Sequence, residues 1–209
     1  MPAHRSAVLA APVVVPLSMA AVFAGLRRMV PPRTAYNLGF AIYWVGWCLA
    51  FPLWVLGRGG VISVLRRGRR AGPLPALLGA APIAGAVATQ LLPNRRLVDP
   101  AVAAVMVGTA AVNAVGEELL WRGVFIDEFP GDVVRGALWP LTGFTVWHLA
   151  PQLILPSPLG RSRFLLSAAV VGAAATASAW RTGGLRSSLL PHVLTDACGV
   201  PTARFRLGR

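Results

Sequence analysis

Apolar runs close to 20 residues long recur along this 209-residue chain and constrain its fold more than any other feature. A helix needs about 20 apolar residues to cross the hydrocarbon core of a bilayer. Because backbone groups inside lipid must be satisfied within the protein, such runs are read as helices. The composition agrees, since 56% of the residues are hydrophobic and 13% are charged, against about 25% charged in soluble domains. The sequence therefore predicts an all-α, polytopic membrane helix bundle.

We predict about seven helical segments in this bundle, on the expected length of a spanning helix. Asp99 and Pro100 predict the start of the fourth segment, because an acid suits the N-cap and proline suits the first helical position. The seventh is too short to cross a bilayer, so we expect a buried or half-crossing helix. The predicted segments are residues 7–25, 35–57, 73–92, 100–126, 138–155 with an interruption at Pro151, 164–180 and 188–200.

The net charge of +13 comes from 20 arginines, and the chain has no lysine. These arginines lie between the apolar runs, as in loops that meet anionic headgroups, and do not form the single basic face of a nucleic-acid-binding protein. We therefore expect no nucleic-acid partner. The densest group, in residues 58–70, predicts a cytoplasmic loop and hence a cytoplasmic N-terminus. The exclusive use of arginine indicates a GC-rich bacterial genome, so we expect a multi-pass protein of a bacterial cell (plasma) membrane.

Two adjacent acids, Glu117 and Glu118, follow a run from 101 to 115 that holds no charge. Glu118 and Arg122 are four residues apart with the acid first, a spacing that favours an ion pair on one helix face. Glu117 projects about 100° away from Glu118 and about 140° away from Arg122. It is therefore the carboxylate that we expect to be free for chemistry. Taken alone, the three residues also fit a charge cluster where a helix meets the headgroups.

Two histidines, His148 and His192, lie in later apolar segments, and the third is close to the N-terminus. Phe144 and His148 share a helix face at i,i+4, and so do His192 and Asp196. Separately, these could be a histidine bonded to a carbonyl and a pair that stabilises one helix. Lipid would not tolerate the histidines and the three intramembrane acids if they faced outward, so we expect these groups to converge on one another.

A free glutamate beside two histidines suits hydrolysis. A carboxylate and an imidazole can hold one water, whose proton the carboxylate takes, and a second histidine can stabilise the oxyanion on an attacked carbonyl. Imidazole and carboxylate are also zinc ligands, so Glu117, His148 and His192 form a candidate zinc set. The sequence leaves metal-free and metal-assisted water activation open. It contains no serine-hydrolase elbow, no His-Glu-x-x-His zinc motif and no phosphate-binding loop.

The three motifs resemble those of a known family. They are Glu117-Glu118-x-x-x-Arg122, Phe144-x-x-x-His148 and His192-x-x-x-Asp196, in that order within about residues 100–200. Together they resemble the motifs of the CPBP intramembrane proteases, the Abi family, which includes the type II CAAX prenyl endopeptidases and is often described as metalloproteases.

The resemblance implies a membrane-embedded endopeptidase with its site in an all-helical core. It implies that Glu117 activates water with His148, and that His192 and Asp196 stabilise the oxyanion. The supporting residues would be Glu118, Arg122 and Phe144. The chain departs from the prenyl proteases at Asp196, where they carry an asparagine that can donate a hydrogen bond. A carboxylate donates only when it is protonated, which favours metal binding or water positioning for Asp196.

On this resemblance, residues 1–96 are N-terminal membrane helices with basic loops, residues 97–201 are the protease core and residues 202–209 are a basic tail. The expected partners are the bilayer and a membrane-bound peptide or protein substrate. Because bacteria generally lack prenylated CAAX substrates, we consider maturation of a secreted peptide or self-immunity to a bacteriocin. Two alternatives stay open: a non-catalytic scaffold or bacteriocin-immunity protein of the same family, and a small transporter or haem-binding protein.

Overall fold

The computed structural model describes residues 3–69, 72–158 and 160–199. The described residues form helices and no strand, which confirms the all-α prediction. A short 3₁₀ turn, Pro151–Leu153, follows the fifth helix. The predicted basic tail, residues 202–209, lies outside the described residues. The helices are α1 (Ala3–Met29), α2 (Pro32–Arg66), α3 (Pro73–Leu97), α4 (Pro100–Glu128), α5 (Val134–Leu138 continued by Trp139–Trp147), α6 (Arg161–Thr182) and α7 (Arg186–Ala197).

Five of these helices are long and apolar enough to cross a membrane, namely α1, α2, α3, α4 and α6 among the described residues. The chain is therefore a multi-pass membrane protein. Helix α7 is short, as predicted. The fifth segment was predicted to be interrupted by Pro151, and α5 stops just before that residue, at Trp147, although its predicted end was about 155. The reason is Pro151, which lacks an N–H and whose ring clashes with the carbonyl four residues earlier, at Trp147.

Helix α2 has 35 residues, which corresponds to about 52 Å at 1.5 Å per residue and exceeds a hydrocarbon core of about 30 Å. The helix is broken at Gly57, whose φ of +66° and ψ of 170° are not helical. Gly57 is also the end of the second predicted segment. Beyond the break, Val64 is buried and its carbonyl accepts a hydrogen bond from the backbone N–H of Leu185 at 3.0 Å. The second part of α2 therefore packs against the connection between α6 and α7.

Helix α4 carries the acidic motif well inside its length. Asp99 caps its start by accepting a hydrogen bond from the Val102 N–H at 2.9 Å, and Pro100 opens the helix, as predicted. The helix continues through Glu117 and Glu118 and contains a wider π-type turn at Leu119–Gly123. Such turns are frequent at functional sites.

The acidic motif lies in the interior of the bundle. Glu117 and Arg122 are 1% exposed and Glu118 is fully buried. They therefore do not form a charge cluster at the headgroups. Helix α7 packs against α3, α4 and α6, and α5 lies against α1 and α6. This arrangement brings the second and third motifs to the acids of α4.

A large hydrophobic cluster joins α1, α2, α4 and α5 next to these acids. Its members are mostly bulky, and several are aromatic. The ring of Tyr43 in α2 stacks on that of Trp147 in α5, with centroids 3.7 Å apart. The N-terminal helices are thus packed directly against the part of the chain that carries the motifs.

Candidate active site

Glu118 is held by three neighbours. Its Oε1 accepts a hydrogen bond from His192 Nδ1 at 2.9 Å and lies 3.2 Å from Arg122 Nη1. Its Oε2 accepts a hydrogen bond from Ser188 Oγ at 2.5 Å. The Glu118–Arg122 pair predicted from the spacing is therefore present. A carboxylate with both oxygens occupied is suited to hold α4 and α7 together.

Arg122 is fixed from a third helix, α6. Its Nε donates to Thr176 Oγ1 and its Nη2 donates to the Gly172 carbonyl, both at 3.2 Å. The guanidinium also lies over the Phe144 ring, 4.2 Å from the centroid, a favourable cation–π contact. Contacts from α4, α5 and α6 thus fix the conformation of this long side chain, and Phe144 is one of the residues in direct contact with it.

Glu117 differs from Glu118 in how its two oxygens are used. Its Oε1 accepts hydrogen bonds from Trp147 Nε1 at 2.9 Å and from Tyr43 Oη at 3.2 Å. Its Oε2 is buried and makes no hydrogen bond with the described residues. That oxygen lies 3.5 Å from His192 Nε2. Glu117 therefore presents one fixed oxygen and one that is available for a substrate, a water or an ion.

His192 connects the two glutamates with Asp196. A carboxylate only accepts, so the contact with Glu118 places a hydrogen on His192 Nδ1 and turns Nε2 towards the other two acids. His192 Nε2 lies 3.7 Å from Asp196 Oδ1. Asp196 Oδ2 in turn accepts a hydrogen bond from Asn113 Nδ2 at 2.9 Å. The face shared by His192 and Asp196 is thus directed at Glu117.

His148 is half-buried and is linked to this group through Phe144. Its Nδ1 is 2.7 Å from the Phe144 carbonyl, and its ring centroid is 4.7 Å from that of Phe144, as the i,i+4 spacing predicts. A carbonyl only accepts, so the neutral ring carries its hydrogen on Nδ1 and presents a lone pair on Nε2. Phe144 also contacts His192, with centroids 6.1 Å apart, so one phenyl ring is in contact with both histidines.

The donor atoms fit a zinc ion. Glu117, His192 and Asp196 each offer one atom, and these atoms all lie within 4.8 Å of one another. Two ligands at about 2.0–2.1 Å from a tetrahedral zinc are roughly 3.4 Å apart, close to the 3.5 and 3.7 Å measured from His192 Nε2. The Nδ1–Glu118 contact is the outer-shell partner that a metal-bound histidine usually has. Asp196 takes the place of His148 in this set, so the zinc set expected from sequence stays a prediction.

The charges of the site also favour a bound cation or proton. Glu117, Glu118 and Asp196 are three carboxylates, and Arg122 is the permanent positive charge in contact with them among the described residues. Burial makes an uncompensated negative charge costly. The remaining charge can be balanced by protonation of His192 or by a metal ion.

Several side chains of the site were not predicted from the sequence. Neither Tyr43 nor Trp147 was among the predicted site residues, yet both donate to Glu117. Asn113 was not singled out, although it lies four residues before Glu117 and is the one amide in the uncharged run. That i,i+4 spacing was a usable signal. Tyr43 offered no such signal, because 74 residues separate it from Glu117.

The part of the chain that carries the motifs is similar to a known protein family. Residues 99–198, just under half of the chain, match the family model described as type II CAAX prenyl endopeptidase Rce1-like. This match spans all three motifs and confirms the resemblance that they predicted. The family is one of proteases. No curated protein and no solved structure matches the chain.

Proposed function

We propose that the protein is an intramembrane endopeptidase, on the premise that its residues 99–198 match the family model of the Rce1-like type II CAAX prenyl endopeptidases. It hydrolyses a peptide bond in a membrane-associated peptide or protein. The observation that carries this proposal is Glu117, a buried glutamate with one oxygen fixed by two donors. Its other oxygen accepts no hydrogen bond from the residues that the structure describes and lies 3.5 Å from His192 Nε2.

Glu117 Oε2 is the general base in this proposal. A water held between Glu117 Oε2 and the lone pair of His148 Nε2 gives its proton to Glu117 as its oxygen attacks the carbonyl carbon. The new C–O bond produces a tetrahedral oxyanion. When the C–N bond breaks, the proton on Glu117 passes to the leaving amine. The products are a carboxylic acid and a free amine, so one water is consumed per bond.

His192 is proposed to stabilise the oxyanion. The nearby carboxylates favour its doubly protonated form, in which Nε2–H can donate while Nδ1–H stays on Glu118. Asp196 already accepts from Asn113 through Oδ2, which supports a positioning role for Asp196 and not hydrogen-bond donation. Glu118 and Arg122 keep α4, α6 and α7 in register around these groups.

Zinc dependence is a separate proposal about the same residues. Glu117, His192 and Asp196 would hold the ion. A bound zinc would supply Lewis-acid activation of the water or the carbonyl. In that case His148, which is not in this set, would be the base that remains.

The test compares wild type with Glu117→Gln, purified in detergent and incubated with a library of membrane-anchored peptides, with and without a chelator. Glu128→Gln is the matched control, since Glu128 lies on the same helix and pairs with Arg5 at its end. We expect cleavage by wild type and by Glu128→Gln, and a loss of at least about a thousandfold in Glu117→Gln, the scale of losing a catalytic base.

The remaining outcomes of this test distinguish the two mechanisms and the alternative functions. Inhibition by the chelator that zinc reverses supports the metal-dependent form, and insensitivity supports the metal-free form. Cleavage that survives Glu117→Gln would remove Glu117 from the mechanism. If wild type cleaves no peptide while remaining folded, the non-catalytic scaffold or immunity protein becomes the better explanation. A haem absorbance band in purified protein would favour the haem-binding alternative.

A further inference from the structure

Tyr43 reaches the proposed base from outside the matched domain. It belongs to α2, whereas the family match begins at residue 99. The side chain is fully buried, and its hydroxyl is 3.2 Å from Glu117 Oε1. Trp147 donates to the same oxygen at 2.9 Å. Two neutral donors from two different helices therefore converge on one oxygen of Glu117.

The direction of the Tyr43 hydroxyl is determined by a third side chain. Trp121 Nε1 donates to the Tyr43 oxygen at 2.9 Å. Because an indole N–H can only donate, the hydroxyl accepts from Trp121 and keeps its own hydrogen for Glu117. The Tyr43 ring is also stacked on Trp147, at an interplanar angle of 18°. The phenol is thus fixed both in position and in hydrogen-bond direction.

The consequence for Glu117 is that its two oxygens are not interchangeable. Oε1 is occupied by Tyr43 and Trp147, so rotation of the carboxylate would break two buried hydrogen bonds, each costly to leave unmade. Oε2 is thereby held towards His192 Nε2. A base fixed in this way reaches the reacting proton without first losing orientational freedom.

We propose that Tyr43 is a positioning residue of the active site, which with Trp147 fixes Glu117 so that Oε2 is the oxygen that acts. This inference rests on the proposed function. It gives α2, which lies outside the matched residues 99–198, a part in the chemistry by way of Glu117.

The test is Tyr43→Phe in the full-length protein, with Tyr36→Phe as the matched control. Tyr36 is the other tyrosine of the chain, lies in the same helix and packs its ring on Phe40 at 4.8 Å. The probe is an internally quenched, membrane-anchored peptide that wild type cleaves. For Tyr43→Phe we expect kcat to fall about tenfold or more with KM unchanged, the size expected for one hydrogen bond to a charged group. Tyr36→Phe should keep the wild-type kcat.

A second variant separates positioning from general packing. Trp121→Phe removes the donor that directs the Tyr43 hydroxyl, so it should lower kcat by acting through Tyr43. Combining it with Tyr43→Phe should then add little further loss, because the hydroxyl it orients is already gone. Losses that simply multiply in the double variant would overturn the inference, as would a Tyr43→Phe enzyme with normal kcat. Equal kcat losses in Tyr43→Phe and Tyr36→Phe would also overturn it, because they would reflect a weakened helix.

These outcomes are distinct from failure of the proposed function. If wild type cleaves no peptide in the library, the protease proposal falls and the positioning role falls with it. If wild type cleaves and Glu117→Gln does not, a normal Tyr43→Phe enzyme overturns the role of Tyr43 alone. Unfolding temperatures of all variants in the same detergent show whether a loss of activity is a loss of fold.

Discussion

At the scale of single residues, the site shows how buried charge is tolerated. Glu118 is fully buried, yet His192, Ser188 and Arg122 together occupy both of its oxygens. A buried ion pair adds little net stability by itself, but removing one partner leaves a costly bare charge. The stability of the fold should therefore depend more on Arg122 than on the basic residue of an exposed ion pair.

We expect Arg122→Ala to lower the free energy of unfolding by about 3–5 kcal/mol, because Glu118 would keep its charge in a buried site. Thermal unfolding of the purified protein in detergent measures the effect. The control is Arg135→Ala, whose partner is Asp132 in an exposed pair. That pair should contribute almost nothing. Similar losses in the two variants would contradict this account of Glu118.

Ser188 gives a smaller prediction at the same carboxylate. Ser188→Ala removes the 2.5 Å hydrogen bond to Glu118 Oε2 and leaves a buried charged oxygen without that donor, at a cost of about 1–3 kcal/mol. Ser167→Ala is the control, because Ser167 is exposed and bonds to the Arg163 carbonyl of its own helix. An unchanged unfolding temperature in Ser188→Ala would show that water or another group replaces the hydroxyl.

At the scale of helices, glycine decides how closely α2 and α4 approach. A Cβ added at Gly116 would lie 2.6 Å from the Cβ of Cys48, a backbone-attached atom that cannot move aside easily. Gly116 directly precedes Glu117 in the chain. The contact between α2 and α4 therefore sets the position of the motif as well as the packing of the helices.

Gly116→Ala and Gly108→Ala, both in α4, should change the stability of the protein in opposite directions. Gly116→Ala must push α2 away and is expected to destabilise by about 1–3 kcal/mol. Gly108 has nothing within 4 Å of an added Cβ, so alanine should be neutral or stabilise by up to about 1 kcal/mol through helix propensity. Thermal unfolding again checks both. In a Cys48→Gly background, the destabilisation caused by Gly116→Ala should be smaller, whereas the effect of Gly108→Ala on the unfolding temperature should be the same as in wild type.

Contacts within one helix were predictable, and so was the approach of His192 to the acids of α4, because lipid excludes such groups. The individual hydrogen bonds between helices were not predictable. The spacing of Glu118 and Arg122 gave their pairing, and Pro100 gave the start of α4. The donors to Glu117 depend on how α2, α4 and α5 pack, and no periodicity in one sequence specifies that. Tyr43 thus looked like any aromatic of a membrane helix. Pro151 predicted the interruption after α5, which ends at Trp147.

At the scale of the whole molecule, ion pairs identify one end of the bundle. Arg5 pairs with Glu128 at 3.3 Å, and Arg67 pairs with Asp127 at 2.8 Å. The start of α1, the end of α2 and the end of α4 therefore lie on the same side. The opposite end includes the contact of Arg27 with the Leu153 carbonyl at 2.9 Å. This arrangement is consistent with helices that cross in alternate directions.

The arginine-rich loop after α2 predicts that this first end faces the cytoplasm. Cysteine substitutions at exposed positions test the orientation in intact bacterial cells with a membrane-impermeant maleimide. Pro31→Cys, between α1 and α2, should react, whereas Arg69→Cys, after α2, should react only in permeabilised cells. The native Cys48 and Cys198 are buried. The reverse pattern would invert the predicted topology.

The contact between Tyr43 and Glu117 also bears on how such proteins can be recombined. A chimera joined near residue 97 would exchange the motif-bearing half for that of a relative and keep the original α2. The relative's glutamate would then meet Tyr43 instead of a residue from its own α2. Tyr43 would in turn meet the relative's residues at positions 121 and 147 instead of its own two indoles. We therefore expect higher activity from chimeras in which α2 and the motif-bearing half come from the same protein.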